Sequence, residues 1–161
     1  MEKFVIQGGE SISGTVRPNG SKNEALPCLA ATLLTDEPVT LKNVPRIRDV
    51  EVMLDIIEDL GGTFDWEDEH VVRVHTAKVE SGDLNSELCE KIRSSILFAG
   101  SMLARNQGCR LPPPGGDVIG RRRVDTHFLA LSELGASIDV AEDGYHFDTD
   151  ELVGTDIFMD E

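Results

Sequence analysis

The segment from Lys91 to Arg123 concentrates the side chains of this chain that could bind a small anion. It contains seven basic residues and a single acidic one, Asp117, whereas the whole chain of 161 residues has a formal net charge of −15. A local positive patch attracts a small anion while the remaining surface stays negative. The overall acidity disfavours nucleic acid as a partner, because a polyanion requires an extended basic face.

The loop 113–123 is rich in proline and glycine and carries Gly115, Gly116 and Asp117, followed by the arginines 121–123. Adjacent glycines allow the backbone to approach a ligand closely. Planar arginine side chains match the oxygens of phosphate groups. Asp117 between them could exchange a proton with a bound ligand. The residues alone support equally well a structural turn in which Asp117 pairs with an arginine.

Two further candidates precede this loop. Lys22 and Asn23 follow Gly20-Ser21 at the start of a predicted helix, where free backbone N–H groups and the helix dipole favour an anion. Arg93 could face a phosphate from the segment 92–95. Taken singly, an ordinary capped helix and a surface arginine are the simpler interpretations.

The cysteines and histidines show none of the spacings that metal sites or redox pairs require. Three cysteines are an odd number and lie far apart, so we expect each of them to be a reduced structural residue. No metal site is predicted. These residues are Cys28, Cys89, Cys109, His70, His75, His127 and His146.

The elements that must position these residues can be predicted from hydrophobic period and turn residues. Ser21 and Glu24 form a capping-box pattern at the start of a helix. Further helices are predicted over 50–60, 87–105 and 124–134. Strands are predicted over 3–7, 11–17, 39–41, 63–66, 71–75, 109–111, 137–140, 145–148 and 156–159.

Part of this pattern occurs twice. Leu60-Gly61-Gly62 returns 74 residues later as Leu134-Gly135-Ala136, and each copy follows a helix and precedes two strands. Upstream, Arg48-Asp49-Val50-Glu51 parallels the segment 122–125. Several features at one offset indicate a duplicated unit. Because helices and strands are intermixed, the fold class is α/β or α+β, with sheets backed by helices.

Taken in order, these motifs resemble the enolpyruvyl transferase family, and within it the UDP-N-acetylglucosamine 1-carboxyvinyltransferases. The resemblance covers essentially the whole chain and is more specific than any single motif. The segments that carry it are 20–27, 43–45, 49–50, 91–95, 114–122, 124–127 and 134–136.

The resemblance implies an inside-out α/β barrel built of repeated helix-and-strand units, with about two repeats of one domain of a two-domain enzyme. Residues 1–21 would form N-terminal strands that belong with the second domain. Residues 22–161 would form an incomplete first domain, with repeat units at about 22–80 and 87–150. We therefore expect the 161 residues alone to be inactive and able to self-associate.

The implied activity is transfer of the enolpyruvyl group of phosphoenolpyruvate to the 3-hydroxyl of UDP-N-acetylglucosamine, with release of phosphate. This is the first committed step of peptidoglycan synthesis, in the cytoplasm, without a cofactor, nucleic acid or membrane. Asp117 would donate a proton, and Lys22 would stabilise developing charge. The residues implied to bind substrate are Lys22, Asn23, Arg93, Arg122, Arg123, Val124, Asp125, Thr126 and His127.

Two departures from the family pattern matter. Many members have cysteine where this chain has Asp117, and that thiol is the target of fosfomycin; a carboxylate attacks an epoxide poorly, which predicts a fosfomycin-insensitive enzyme. Arg122 is followed here by Arg123 instead of proline. Two alternatives remain: a 5-enolpyruvylshikimate-3-phosphate synthase-like transferase, and a non-catalytic anion-binding or assembly module of the same fold.

Overall fold

The computed structural model describes residues 3–9, 11–116, 120 and 123–159. In these ranges the chain forms five α-helices, two short 3₁₀ segments and six strands. The helices are α1 (Lys22–Ala31), α2 (Arg48–Asp59), α3 (Ser86–Cys89), α4 (Phe98–Asn106) and α5 (Asp125–Glu133), and the 3₁₀ segments are Thr32–Leu34 and Arg93–Leu97. The strands are β1 (Val39–Lys42), β2 (Thr63–Asp68), β3 (Val71–His75), β4 (Gly108–Leu111), β5 (Ser137–Ala141) and β6 (Gly144–Asp148).

The first three strands form an antiparallel sheet in the order β1-β3-β2. Val72 and Val74 of the central strand are buried, whereas Arg73 between them is exposed, as expected of a sheet with one face on the core. Helix α2 packs on this face with the fully buried Met53, Ile56 and Ile57 among its apolar residues. This pattern is why the amphipathic helix and the hairpin were predictable.

The second sheet repeats the first. Its order is β4-β6-β5, again with the last strand in the middle, and its pairs are also antiparallel. Phe147 in the central strand is buried and pairs with Cys109 on one side and Ile138 on the other. In both units a strand leads through a helix into a hairpin, so the observed topology is that of a repeated unit in an α+β protein.

The two units share one hydrophobic core instead of two separate cores. Buried residues from both units, such as Leu29 and Leu111, belong to the same cluster. Arg105 at the end of α4 also joins the units: its guanidinium donates hydrogen bonds to the carbonyls of Leu33 at 3.1 Å and of Thr76 and Ala77 at 3.0 Å each.

The predicted continuous helix over 87–105 is wrong. Helix α3 ends at Cys89, Ile92 is extended (φ −140°, ψ 140°), and a 3₁₀ segment precedes α4. A continuous helix would use the carbonyls of Cys89 and Glu90 for its own N–H groups. Here those carbonyls accept hydrogen bonds from Gly115 and Gly116 at 3.0 and 3.1 Å.

The strands predicted over 3–7, 11–17 and 156–159 are also wrong within the ranges that the structure describes. A strand needs a partner for its backbone groups. Phe4 and Ile12 are each 97% exposed, and Phe158 is 87% exposed, so these segments do not pack on either sheet. No helix in the described ranges has the length and apolar content needed to span a bilayer.

The other predicted elements are confirmed to within a few residues. Both hairpins form, and Gly61 (φ +97°) and Gly135 (φ +101°) end the helices that precede them. Ser21 is the N-cap residue of α1, as predicted, but its side chain makes no capping hydrogen bond; its carbonyl accepts from the Ala25 N–H at 3.0 Å.

Candidate anion-binding site

An open cavity of about 370 Å³ lies where the first turns of four helical segments meet. These segments are α1, α2, the 3₁₀ segment Arg93–Leu97 and α5. Backbone N–H groups at helix starts, together with the helix dipole, favour an anion. The residues that line the cavity are Lys22, Asn23, Leu26, Pro27, Arg48, Asp49, Lys91, Ile92, Arg93, Ser94, Ile96, Leu97, Gly116 and His127. We call this the cationic cavity.

The start of α1 is held against the loop before α2. A Cβ atom at Gly20 would collide with the carbonyl of Asn43, so only glycine permits this approach. The contact brings Lys22 to α2, where its Nζ lies 2.9 Å from Oδ2 of Asp49. The two side chains are 49% and 36% exposed, so the ion pair remains accessible from the cavity.

A second glycine contact positions the Pro- and Gly-rich loop. The N–H groups of Gly115 and Gly116 bond to the carbonyls of Cys89 and Glu90, and a Cβ atom at Gly115 would collide with the Glu90 carbonyl. Gly116 (φ +86°) then lines the cationic cavity. The loop is therefore fixed against the cavity wall up to the residue immediately before Asp117.

Arg93 connects the cavity to the start of α5. Its Nη2 donates a hydrogen bond to the backbone carbonyl of Arg123 at 2.7 Å. The side chain of Arg123 points elsewhere: it pairs with Asp125, with Nε 3.0 Å from Oδ1, and is 77% exposed. Arg93 thus has a structural contact in addition to its place in the cavity wall.

His127 lines the same cavity from the first turn of α5. Partial burial against the wall, and then the charge of Arg93, lower the pKa of its imidazole below the usual range. Near neutral pH the ring is therefore neutral, and it can donate or accept a hydrogen bond.

Among the described residues, four cationic side chains and one carboxylate line the cavity, which gives it a positive field in an acidic protein. The cations are Lys22, Arg48, Lys91 and Arg93, and the carboxylate is Asp49. Such a site can hold phosphate or carboxylate groups and can stabilise negative charge that develops on a bound ligand.

The structure brings together some of the predicted site residues and leaves others apart. Lys22, Asn23, Arg93 and His127 all line the cationic cavity. Arg123, Val124, Asp125 and Thr126 lie beside it but are not among its described lining residues. Asp117 and Arg122 lie outside the described residues.

Four lining residues with polar or charged side chains, Arg48, Asp49, Lys91 and Ser94, were not predicted as site residues. A signal for the first two was present in the repeat. Arg48-Asp49 occupies the position in the first unit that the segment 122–123 occupies in the second. The start of α2 is therefore equivalent to the start of α5, and a site predicted at one of them could have been predicted at the other.

A larger open cavity of about 810 Å³ lies along β4 and β6 but is less suited to an anion. Its one described cationic side chain, Arg110, lies 3.8 Å from Asp83, and Asp148 and Asp150 also line it. The described residues contain no group of three or more His, Cys, Asp or Glu side chains that could hold a metal ion.

The cysteines take no part in the cationic cavity. Burial raises the pKa of Cys89 to about 11 and that of Cys109 to about 12. Both thiols are therefore protonated at neutral pH and are poor nucleophiles. Cys28 is exposed on α1.

Comparison with known proteins places this geometry in a family. The model of the EPSP synthase (3-phosphoshikimate 1-carboxyvinyltransferase) family matches residues 6–160. The chain is 50% identical over 161 residues to a UDP-N-acetylglucosamine 1-carboxyvinyltransferase of Treponema denticola and 49% identical over 159 residues to one of Bradyrhizobium diazoefficiens. These alignments cover 100% and 99% of the chain but only 38% and 37% of the two relatives.

Solved structures share the fold at low sequence identity. The enolpyruvyl transferase NikO from Streptomyces tendae matches with a TM-score of 0.73 at 22% identity, over 91% of this chain and 32% of that one. EPSP synthase from Acinetobacter baumannii matches with a TM-score of 0.61 at 15% identity, over 87% of this chain and 33% of that one. The family match spans nearly the whole chain, and the chain belongs to the EPSP synthase family.

Proposed function

We propose that this chain supplies one wall of the active site of an enzyme that transfers the enolpyruvyl group of phosphoenolpyruvate to the 3-hydroxyl of UDP-N-acetylglucosamine. The observation that carries the proposal is the cationic cavity, where, in the part of the chain that the structure describes, four cations and the starts of four helical segments converge. Both substrates carry phosphate groups, which such a site binds. The similar proteins named UDP-N-acetylglucosamine 1-carboxyvinyltransferase support the choice of substrates.

In this proposal Lys22 and Asn23 contact phosphoenolpyruvate and the sugar from the start of α1. Arg93 and Arg122 bind phosphate or diphosphate oxygens, and the segment 123–127 contacts the uridine nucleotide. The position of His127 in the cavity wall supports the last assignment most directly.

The reaction proceeds in two steps. The sugar 3-hydroxyl adds to C2 of phosphoenolpyruvate and loses its proton, while C3 gains a proton and becomes a methyl group. The tetrahedral intermediate then loses phosphate from C2 and a proton from C3, which restores the double bond. We assign the proton at C3 to Asp117, because the preceding residue, Gly116, is held in the cavity wall.

The first test is binding to the chain itself. Titration with phosphoenolpyruvate, followed by amide NMR, should shift the signals of Lys22, Asn23 and Arg93. Lys22→Ala should weaken binding about tenfold, because it removes a charged contact to the ligand. Lys78→Ala is the matched control, since Lys78 is exposed and does not line the cavity. Equal loss in both variants would refute the proposed site.

The second test concerns turnover. We expect the 161 residues alone to bind without releasing phosphate, because the resemblance places further catalytic residues in a second domain, to which residues 1–21 would also belong. Phosphate release that depends on UDP-N-acetylglucosamine should require the longer protein. Release by the isolated chain would contradict this part of the proposal.

Asp117 leads to a further prediction. In the longer protein, fosfomycin should leave activity unchanged, because a carboxylate is a poor nucleophile towards its epoxide. Asp117→Cys should gain covalent addition of one fosfomycin, detected by intact mass spectrometry. The unsubstituted chain is the control. Its three cysteines, Cys28 and the two buried ones, should not react with fosfomycin, so this chain should gain no mass. Inactivation of the Asp117 enzyme would overturn the assignment.

The second candidate is transfer of enolpyruvate to shikimate 3-phosphate, which the description of the matching family model favours. The two functions differ in the acceptor. Chemical-shift changes at His127 with UDP-N-acetylglucosamine but not with shikimate 3-phosphate would support the first, and the reverse would support the second. Binding of either without turnover in the longer protein would leave a non-catalytic anion-binding module.

A further inference from the structure

The hydroxyl of the half-buried Ser94 differs from those of the buried Ser95 and Ser101. The hydroxyls of Ser95 and Ser101 each donate to the carbonyl three residues earlier, at 3.1 and 3.2 Å. The Oγ of Ser94 is buried and has no hydrogen-bond partner in the part of the chain that the structure describes. A buried hydroxyl without a partner carries a free-energy cost, so its retention in a structure calls for a reason.

The position of Ser94 suggests that reason. Ser94 lines the cationic cavity, next to Arg93 in sequence and in the same wall as Lys22 and His127. A hydroxyl is both a donor and an acceptor, and its hydrogen turns to suit a partner. In a cavity that Lys22, Arg48, Lys91 and Arg93 also line, its best partner is an anionic oxygen, which makes a stronger hydrogen bond than a neutral acceptor.

We propose that Ser94 is a ligand-binding residue whose hydroxyl donates a hydrogen bond to a phosphate or carboxylate oxygen held in the cationic cavity. This inference rests on the proposed function, because it requires that the cavity bind an anion. This contact requires the hydroxyl to turn about the Cα–Cβ bond towards the ligand. Ser94 would then add a neutral, directional donor to contacts that are otherwise made by charged side chains.

The test separates binding from stability. Ser94→Ala should weaken the binding of inorganic phosphate to the full chain about tenfold, measured by NMR titration, because a hydrogen bond to a charged group is lost. The same variant should keep or raise the urea midpoint of unfolding, since it removes an unpaired buried hydroxyl. If Ser94 had a purely structural role, Ser94→Ala would lower the urea midpoint and leave phosphate affinity unchanged.

Ser95→Ala is the matched control. Ser95 is adjacent, buried and hydrogen-bonded to Ile92, but it does not line the cavity. Its replacement should lower the urea midpoint and leave phosphate affinity unchanged. Unchanged phosphate affinity in Ser94→Ala would overturn the inference and leave the proposed function intact. Failure of the wild-type chain to bind phosphate would overturn both.

Discussion

Asp49 is the one carboxylate among the described residues that line the cationic cavity, and it contacts Lys22 directly. A carboxylate at this place acts on an incoming anion in two ways. It repels the anion, and it holds the ammonium group that the anion needs. Asp49 therefore favours ligands that also bring a hydroxyl or amide donor, such as a sugar, over bare anions.

We predict that Asp49→Asn binds inorganic phosphate about fivefold more tightly than wild type. A partly exposed charge at hydrogen-bond distance contributes about 1 kcal/mol, which corresponds to this ratio. Isothermal titration calorimetry at low ionic strength is the measurement. Glu51→Gln is the control, because Glu51 lies on the same helix and pairs with Arg46 outside the cavity. Weaker binding in Asp49→Asn would show that Asp49 supports the anion site instead.

His127 should couple anion binding to pH. Burial and Arg93 lower the pKa of the free imidazole, whereas the negative charge of a bound dianion offsets the charge of Arg93 and raises this pKa. Binding then takes up a proton, so affinity should increase as pH falls from about 8 to about 5.5, through the range in which imidazoles titrate. Sulfate is the probe, because it does not titrate there.

The check on this prediction is His127→Gln, which should bind sulfate with nearly pH-independent affinity. His146→Gln serves as the control, because His146 lies on β6, pairs with Asp143 and does not line the cavity. The pH dependence should survive in the control. If it also survives in His127→Gln, another group is responsible for it.

At the scale of single residues, the sequence predicted which side chains line the cavity better than it predicted the contacts between them. Lys22, Asn23, Arg93 and His127 were all predicted and do line one cavity. The pairing of Lys22 with Asp49 was not predictable. The two residues lie 27 positions apart on different helices, and their contact depends on how closely Gly20 approaches Asn43. The partnerless hydroxyl of Ser94 is likewise a property of packing.

Among the elements, helix α4 is tied to the first unit by one partly buried side chain. Arg105 at the end of α4 donates to three backbone carbonyls that belong to two different segments of the first unit. Leu33 lies within the 3₁₀ segment Thr32–Leu34, and Thr76 and Ala77 directly follow strand β3, where regular backbone pairing ends. A planar guanidinium can satisfy both segments at once, and an ammonium group cannot.

Arg105→Lys should therefore lower the free energy of unfolding by about 2 kcal/mol, as expected for the loss of hydrogen bonds from a charged donor to partly buried acceptors. Urea unfolding followed by circular dichroism measures the change. Arg110→Lys makes the same replacement in an exposed pair at 3.8 Å and should cost less than about 0.5 kcal/mol. Equal effects of the two replacements would mean that the Arg105 contacts contribute nothing beyond a surface charge.

Elements with a strong local pattern were predictable, and those that depend on distant partners were not. Helix α2 and the hairpin β2–β3 follow from their own periodicity and from the glycines that bound them. The break after Cys89 depends on a loop more than 20 residues away, whose N–H groups compete for the helix carbonyls. Residues 3–7 contain a short apolar run and residues 11–17 alternate like a strand, but neither segment has a partner among the described residues.

At the scale of the whole molecule, the two repeated units cannot be separated without exposing their shared core. Apolar residues of both units form one cluster, and the cationic cavity takes residues from both. Each repeated unit contributes helix starts to the cationic cavity, so neither unit forms this cavity by itself. The units should fold and unfold together.

The chain carries a natural pair of probes for this cooperativity. Trp66, the single tryptophan, lies in β2 of the first unit, and Tyr145, the single tyrosine, lies in β6 of the second unit. Trp66 fluorescence and second-derivative absorbance of Tyr145 should report the same urea midpoint, as a two-state transition requires. Phe147→Leu, in the second unit, should lower the free energy of unfolding by about 1.5 kcal/mol and should lower the Trp66 and Tyr145 midpoints by the same amount.

Val140→Ala is the control, at a side chain that is 68% exposed. It should change the free energy of unfolding reported by either probe by no more than about 0.5 kcal/mol. A Trp66 midpoint that does not respond to Phe147→Leu would show that the units unfold independently, and the cationic cavity would then be lost whenever either unit opens.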